Sequence, residues 1–162
     1  MEQLYFMEST GLLALVSLGH WLEARARQSA GSAIRELLDT YADAVNLRDA
    51  AAWGATWAED AEWSLPDYPE IGTTTGRPAI VAMWVEAMKA YPGIRFQAWP
   101  GSIEVSGDHA RVRSYTAEVY DADGTTMRDM GAYEDECVKI GGEWRFTQAE
   151  IDHWQQQREK GL

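Results

Sequence analysis

The chain has 162 residues, with 26 Asp and Glu against 14 Lys and Arg, a formal charge of −12. That length fits about one domain and excludes two full enzymatic domains, and such a charge repels a phosphate backbone, so nucleic acid is not an expected partner. Apolar residues at 46 % and charged residues at 25 % make an ordinary globular mix, while Cys137 stands alone, which excludes an intramolecular disulfide and a cysteine-built zinc cage and is compatible with a reducing cytoplasm, the expected location.

In chain order, the first feature is the apolar run GLLALVSL at residues 11–18. A bilayer span needs about 20 such residues, and the run lacks a basic start and a small-residue cleavage site. Residues 1–31 therefore read as a leader helix, packed on its own domain or on a second chain, and 32–162 as the domain proper. Ile34, Leu37, Leu38, Tyr41 and Val45 share one helical face. Asp49 is placed to cap a second, shorter helix carrying Trp53 and Trp57. RPAIVAMWVEAMKAY predicts a third helix, with Pro78 in its first turn and Pro92-Gly93 ending it. From Ile94 onward the runs are β-like, separated by turn signals at Pro100-Gly101, Gly107-Asp108, Asp123-Gly124 and Gly141-Gly142, which predicts an antiparallel meander. Helices followed by a curved antiparallel sheet define an α+β domain with the helices covering one sheet face.

Two resemblances follow from particular strings. Residues 4–38, through YFxE, LxLxxLGxWLEARAR and AIREL in order, resemble the segment of heavy-metal P-type ATPases where a membrane helix runs into a cytoplasmic stalk. No DKTGT or CPC motif accompanies it, so it implies a fused leader with exposed apolar surface, hence self-association or docking. Residues 32–154, through AIRELLDTYADAVNLRD, WAEDAEWSL, GRPAI, SIEVSGDHARVRSY and GAYEDECVKIGGEWRF, resemble the SnoaL-like branch of the nuclear transport factor 2-like superfamily. That resemblance implies a cone-shaped, cystatin-like α+β barrel: a curved antiparallel sheet wrapped around N-terminal helices, with one mostly apolar pocket, commonly dimeric through the outer sheet face.

The family hosts cyclases, dehydratases, isomerases and non-catalytic members, so pocket residues must decide the chemistry. Its dehydratase branch pairs an Asp near the end of the first long helix with a proton-abstracting His on the strand after the third helix. The resemblance puts these positions at Asn46 and Gln97, two amides that cannot accept a proton near neutral pH. Two further polar positions of the dehydrochlorinase become Tyr41 and Ala149, and the isomerase's base Asp aligns near Leu65. Tyr41 does match that isomerase's oxyanion-stabilising Tyr.

On the strand ARVRSYTAEVY, alternation groups Val112, Ser114, Thr116, Glu118 and Tyr120 on one side, and on the next strand Gly131, Tyr133, Asp135 and Cys137; the resemblance turns both sets inward. The candidate catalytic residues are Asp135, whose pKa burial would raise, with Tyr41 and Asn46 assisting; Trp63, Gln97, Thr116, Glu118 and Tyr133 are candidate substrate-binding residues. The plain alternative for Asp135 is a structural acceptor, and for Glu118 a solvated strand-end carboxylate. His109 lies in a turn, His153 follows the last strand and His20 belongs to the leader; with no ligand spacing among them, neither a metal nor a cofactor is expected. Asp121 and Asp123 lack the later ligands of a calcium loop and read as a hairpin turn.

The expected function is that of a small-molecule pocket protein, acting as an isomerase, cyclase or dehydratase on an apolar molecule bearing a carbonyl or hydroxyl, with a homodimer as the expected assembly and no membrane partner. The alternative is a non-catalytic ligand-binding or dimerisation module that has lost the family's His/Asp dyad.

Overall fold

A computed structural model describes residues 2–65, 72–122 and 124–158, with side chains over 15–65, 72–122 and 124–149. Ten elements follow one another: α1 (Glu2–Leu47), α2 (Ala50–Ala55), β1 (Trp57–Ser64), β2 (Thr73–Thr75), α3 (Arg77–Ala87), a single 3-10 turn (Met88–Ala90), β3 (Arg95–Ser106), β4 (His109–Ala122), β5 (Thr125–Ile140) and β6 (Glu143–Arg158). The strands form one curved, unclosed sheet in the order β2-β1-β6-β5-β4-β3, and the helices cover its concave face, the α+β arrangement indicated by the sequence. Every neighbouring pair is antiparallel except β1 and β6, which run parallel. This pair departs from the expected simple meander: the helical crossover through α3 lets β1, early in the chain, join the last strand.

The leader and the first amphipathic helix form one continuous helix, α1. Ile34, Leu38, Tyr41, Ala44 and Val45 are buried along its second half. Leu15, Leu18, Trp21 and Leu22 are more than half exposed, so this part of the leader does not pack on its own domain. Among the described residues no helix is long and apolar enough to cross a membrane. The helix ends at Arg48, which adopts the left-handed conformation with φ of 58°, while Asp49 N donates to Ala44 O at 2.9 Å, closing the last turn. Asp49 then caps α2, its carboxylate accepting from Ala51 N and Ala52 N.

Pro100-Gly101, expected as a turn, lies inside β3, where the pairing with β4 shifts register. The Pro-Gly pair is absorbed as a bulge because β3 is an edge strand, which tolerates a missing ladder donor. Gly101 is required there, since a Cβ would sit 2.8 Å from the Tyr115 ring.

The core is aromatic. Trp53, fully buried, stacks on Trp84 at 4.7 Å and 12°, and its ring centre lies 5.4 to 5.6 Å from those of Trp57, Trp63 and Tyr41. Tyr41 in turn meets Phe96 and Phe146 at 5.8 Å. Such offset and edge contacts add to the burial of large rings. Gly54 allows α2 to approach α3, because a Cβ there would stand 2.8 Å from Val81 Cγ2.

Asn46, expected to help catalysis, has a structural task. Its Nδ2 donates to Phe96 O at 2.7 Å and to Ala42 O at 2.9 Å, and its Oδ1 accepts from Phe96 N at 2.9 Å. The amide thus stands in for a neighbouring strand on the open edge of β3 and ties α1 to the sheet. An Asp cannot do this when ionised, having no donor for Phe96 O. N46A and N46D are both expected to lower unfolding stability by about 2 kcal/mol in urea titrations; stabilities equal to wild type would remove the amide from this role.

Candidate functional site

Side chains alternate along β4 and β5, and the curvature of the sheet turns Ser114, Thr116 and Glu118 of β4 and Asp129, Tyr133 and Asp135 of β5 toward the helices. Among the described residues these side chains border two of the spaces between sheet and helices. The inner one, about 10 Å³, is lined by Leu38, Ser114, Thr116, Asp135, Phe146 and Ala149 among others; it is about the least volume that holds one water. The outer one, about 210 Å³, is lined by Trp63, Trp84, Met88, Tyr91, Glu118 and Asp129 among others. Tyr41, Phe96 and Tyr133 line both, so these three rings form the partition.

Asp135 sits behind the partition, 3 % exposed, accepting from Ser114 Oγ on Oδ2 at 3.1 Å. Burial pushes its carboxyl up from 3.8 to about 8, against the Ser114 hydrogen bond, with the charge of Glu134 adding to the rise. It is therefore a neutral carboxylic acid at neutral pH. Burial also raises both phenols well above their ordinary range, Tyr41 against the pull of Trp53 and Tyr133, and Tyr133 with the charges of Tyr41 and Glu118 behind it. The two phenols act on each other, Tyr133 easing the ionisation of Tyr41 and Tyr41 opposing that of Tyr133. Cys137, buried and likewise pushed up by desolvation, is an inert thiol.

The candidate residues therefore separate. Tyr41, Thr116, Tyr133 and Asp135 meet at the inner space, and Tyr41, Trp63, Glu118 and Tyr133 at the outer one. Gln97, expected to face the hollow, is exposed on the far side of β3 and lines an open surface groove with Asp39 and Asp43. Strand alternation puts its neighbours Phe96 and Ala98 inside instead, so no proton acceptor occupies the inward positions of β3. Asn46, held on the Phe96 backbone, lines neither space. His109 is exposed at the start of β4, and His20 is exposed on α1; the side chain of His153, and Asp123, lie outside the described residues. Sequence reasoning missed Asp129, 8 % exposed, whose Oδ2 accepts from Tyr120 Oη at 2.7 Å. The signal was present: Asp129 continues the inward set Asp135, Tyr133, Gly131 by one more step of two.

A curved sheet closed by helices over a partly apolar cavity defines the class of α+β pocket proteins with the nuclear transport factor 2-like fold. A family model for the SnoaL-like domain matches residues 26–150, and the chain belongs to that family. Among solved structures it is similar to a type 2 hexachlorocyclohexane dehydrochlorinase, with a TM-score of 0.74 at 18 % identity over 84 % of this chain and 93 % of that one. It is likewise similar to a scytalone dehydratase-like protein from Novosphingobium aromaticivorans, with a TM-score of 0.74 at 22 % identity over 86 % and 93 % of the two chains. A cystatin-fold protein of the same organism aligns at 27 % identity and a TM-score of 0.67 over 80 % and 86 %. No curated protein matches. The likeness of residues 4–38 to a pump segment finds no support in these comparisons.

The raised carboxyl of Asp135 has a stability consequence with a definite sign. Below about pH 4 the group is protonated folded or unfolded and costs nothing; between about 4 and 8 only the unfolded chain releases the proton, so stability falls as pH rises, and levels off above the folded value. D135N removes that slope. Urea unfolding is expected to find the variant close to wild type at pH 4.5 and more stable by several kcal/mol at pH 8, since each tenfold change in proton affinity is worth about 1.4 kcal/mol; parallel pH profiles for the two proteins would refute the buried neutral acid.

Proposed function

We propose that the chain binds a small, largely apolar molecule bearing a carbonyl or hydroxyl in the 210 Å³ cavity and acts on it as a cofactor-independent isomerase, cyclase or dehydratase. The observation that carries this reading is the position of Tyr41 and Tyr133, which line both the cavity and the space holding Asp135. The phenols stay protonated, so Tyr41 and Tyr133 can donate to a ligand oxygen as charge develops there. Asp135 is the proton store behind them, and the proton reaches the ligand through a tyrosine hydroxyl or through a single water in the inner space. The dehydrochlorinase and the dehydratase-like protein of this fold support elimination chemistry as one form of this reading.

A second reading, a non-catalytic binding or dimerisation module, draws on Asn46 and on the apolar Phe96 and Ala98, which leave the place of the family's dyad without a base. Small hydroxylated aromatic ketones, followed by absorbance, separate the two. The catalytic reading expects turnover that falls as pH rises through about 8, when Asp135 ionises, and that drops about 100-fold in D135N while binding persists. Saturable binding without turnover of any member of the series favours the binding module.

A further inference from the structure

The stretch of α1 that precedes the domain carries an apolar stripe with no part in the pocket. At about 100° per residue, Leu15, Leu18, Trp21 and Leu22 fall within an arc of roughly 120°, and the buried Ile34, Leu38, Tyr41 and Val45 fall on the opposite side of the same helix. Further along α1 that outward side is polar, with Arg25, Ser29, Glu36 and Asp43 all exposed, as a solvated helix face requires. The stripe breaks this pattern. Its four side chains are each more than half exposed, on the side of the helix that its own domain cannot cover. Together they expose roughly 500 Å² of surface, a patch of the size that marks an interaction site. Two such patches face to face remove about 1,000 Å² from water, the area at which a specific interface begins. Residues 15–31 carry Arg25 and Arg27 against Glu23, with Arg27 paired to Glu23 at 2.8 Å, so they lack the basic flank that would hold a chain of charge −12 on an anionic lipid surface.

We propose that the stripe of Leu15, Leu18, Trp21 and Leu22 is a self-association surface, and that its occupant is the same stripe of a second copy of this chain, the two α1 helices packed side by side about a two-fold axis. Leu15, Leu18 and Leu22 have the alternating spacing of three and four residues that builds the seam of paired helices, and Trp21 flanks that seam. A patch without charge gives an unlike partner nothing to select, whereas leucine against leucine is complementary to itself. Because the stripe faces away from the sheet, the two domains stand on the outer sides of the helix pair, which keeps two bodies of charge −12 apart. This surface is separate from the pocket and from the outer sheet face through which the family resemblance implies a dimer.

The test is sedimentation equilibrium of the full chain at physiological salt, comparing wild type with L18Q/L22Q and with M130Q. Glutamine keeps the helix propensity of leucine nearly unchanged and adds no charge, so the double variant removes apolar contact without adding repulsion; circular dichroism and the thermal midpoint check that it folds. Met130 is exposed on the outer sheet face and serves as the control for pairing through the sheet. Wild type is expected to be a dimer whose dissociation constant rises about 100-fold in L18Q/L22Q and is unchanged in M130Q. L15Q carries the same test with a single substitution if the double variant does not fold, with a smaller rise expected. A monomeric wild type, a dimer that survives in the folded leader variants, or a dimer that dissociates in M130Q alone overturns the proposal. So does a wild type that stays monomeric and floats with vesicles of phosphatidylcholine and phosphatidylserine, which would assign the stripe to a lipid surface.

Discussion

Tyr41 is the side chain on which the architecture turns. It projects from α1 into contact with Trp53, Phe96 and Phe146, which come from α2, β3 and β6, so one ring joins the long helix to the edge strand β3 and to the interior strand β6. The cluster fills the interior beneath it, and the open space is left on the other side. Burial of a phenol among aromatic rings supplies apolar contact area, and Tyr133 lies beside Tyr41 at both interior spaces. The contacts that close the core thus hold two phenols at the wall of a cavity.

Much of this was legible in the sequence because it depends on periodicity. The buried face of α1, the Asp49 cap, the α3 boundaries and the grouping of faces on β4 and β5 follow from spacing and turn chemistry, while the family resemblance supplied which of those faces turns inward. What failed depends on tertiary geometry. Alignment of RFQAW to a family pattern placed Gln97 inside, whereas the strand's own alternation, anchored by the Asn46 grip on Phe96, sets the opposite parity. Pro100-Gly101 has the composition of a turn and becomes a bulge because an edge strand leaves room for one. The parallel pairing of β1 with β6 joins residues near opposite ends of the domain, and no local signal encodes it. Nor did the composition of the inward set reveal that Tyr41 and Tyr133 divide the interior in two.

Asn46 shows how one side chain can join two elements. Near the end of α1 its amide both donates to and accepts from one backbone residue. That arrangement needs a group with both polarities, which an ionised Asp lacks. It is a tether between helix and edge strand. Among the described residues, the buried neutral acid of the interior lies on the other side of the cone, at Asp135.

Three carboxylates facing one interior are expensive. Asp135 gives up its charge to remain there; Glu118 and Asp129 sit opposed across two strands at the other end of the same face. A sequence selected for stability alone would place apolar side chains at these positions, as it does at Val112 and Cys137 on the same two strands. The Trp53 cluster supplies the apolar burial that offsets such residues, and the glycine at 54 lets it pack closely enough to do so. The interior of this cone is therefore divided by chemistry as well as by shape. Around Asp135 it is a nearly filled, neutral enclosure suited to holding a proton, and beyond the tyrosines it is an open, aromatic and acidic one.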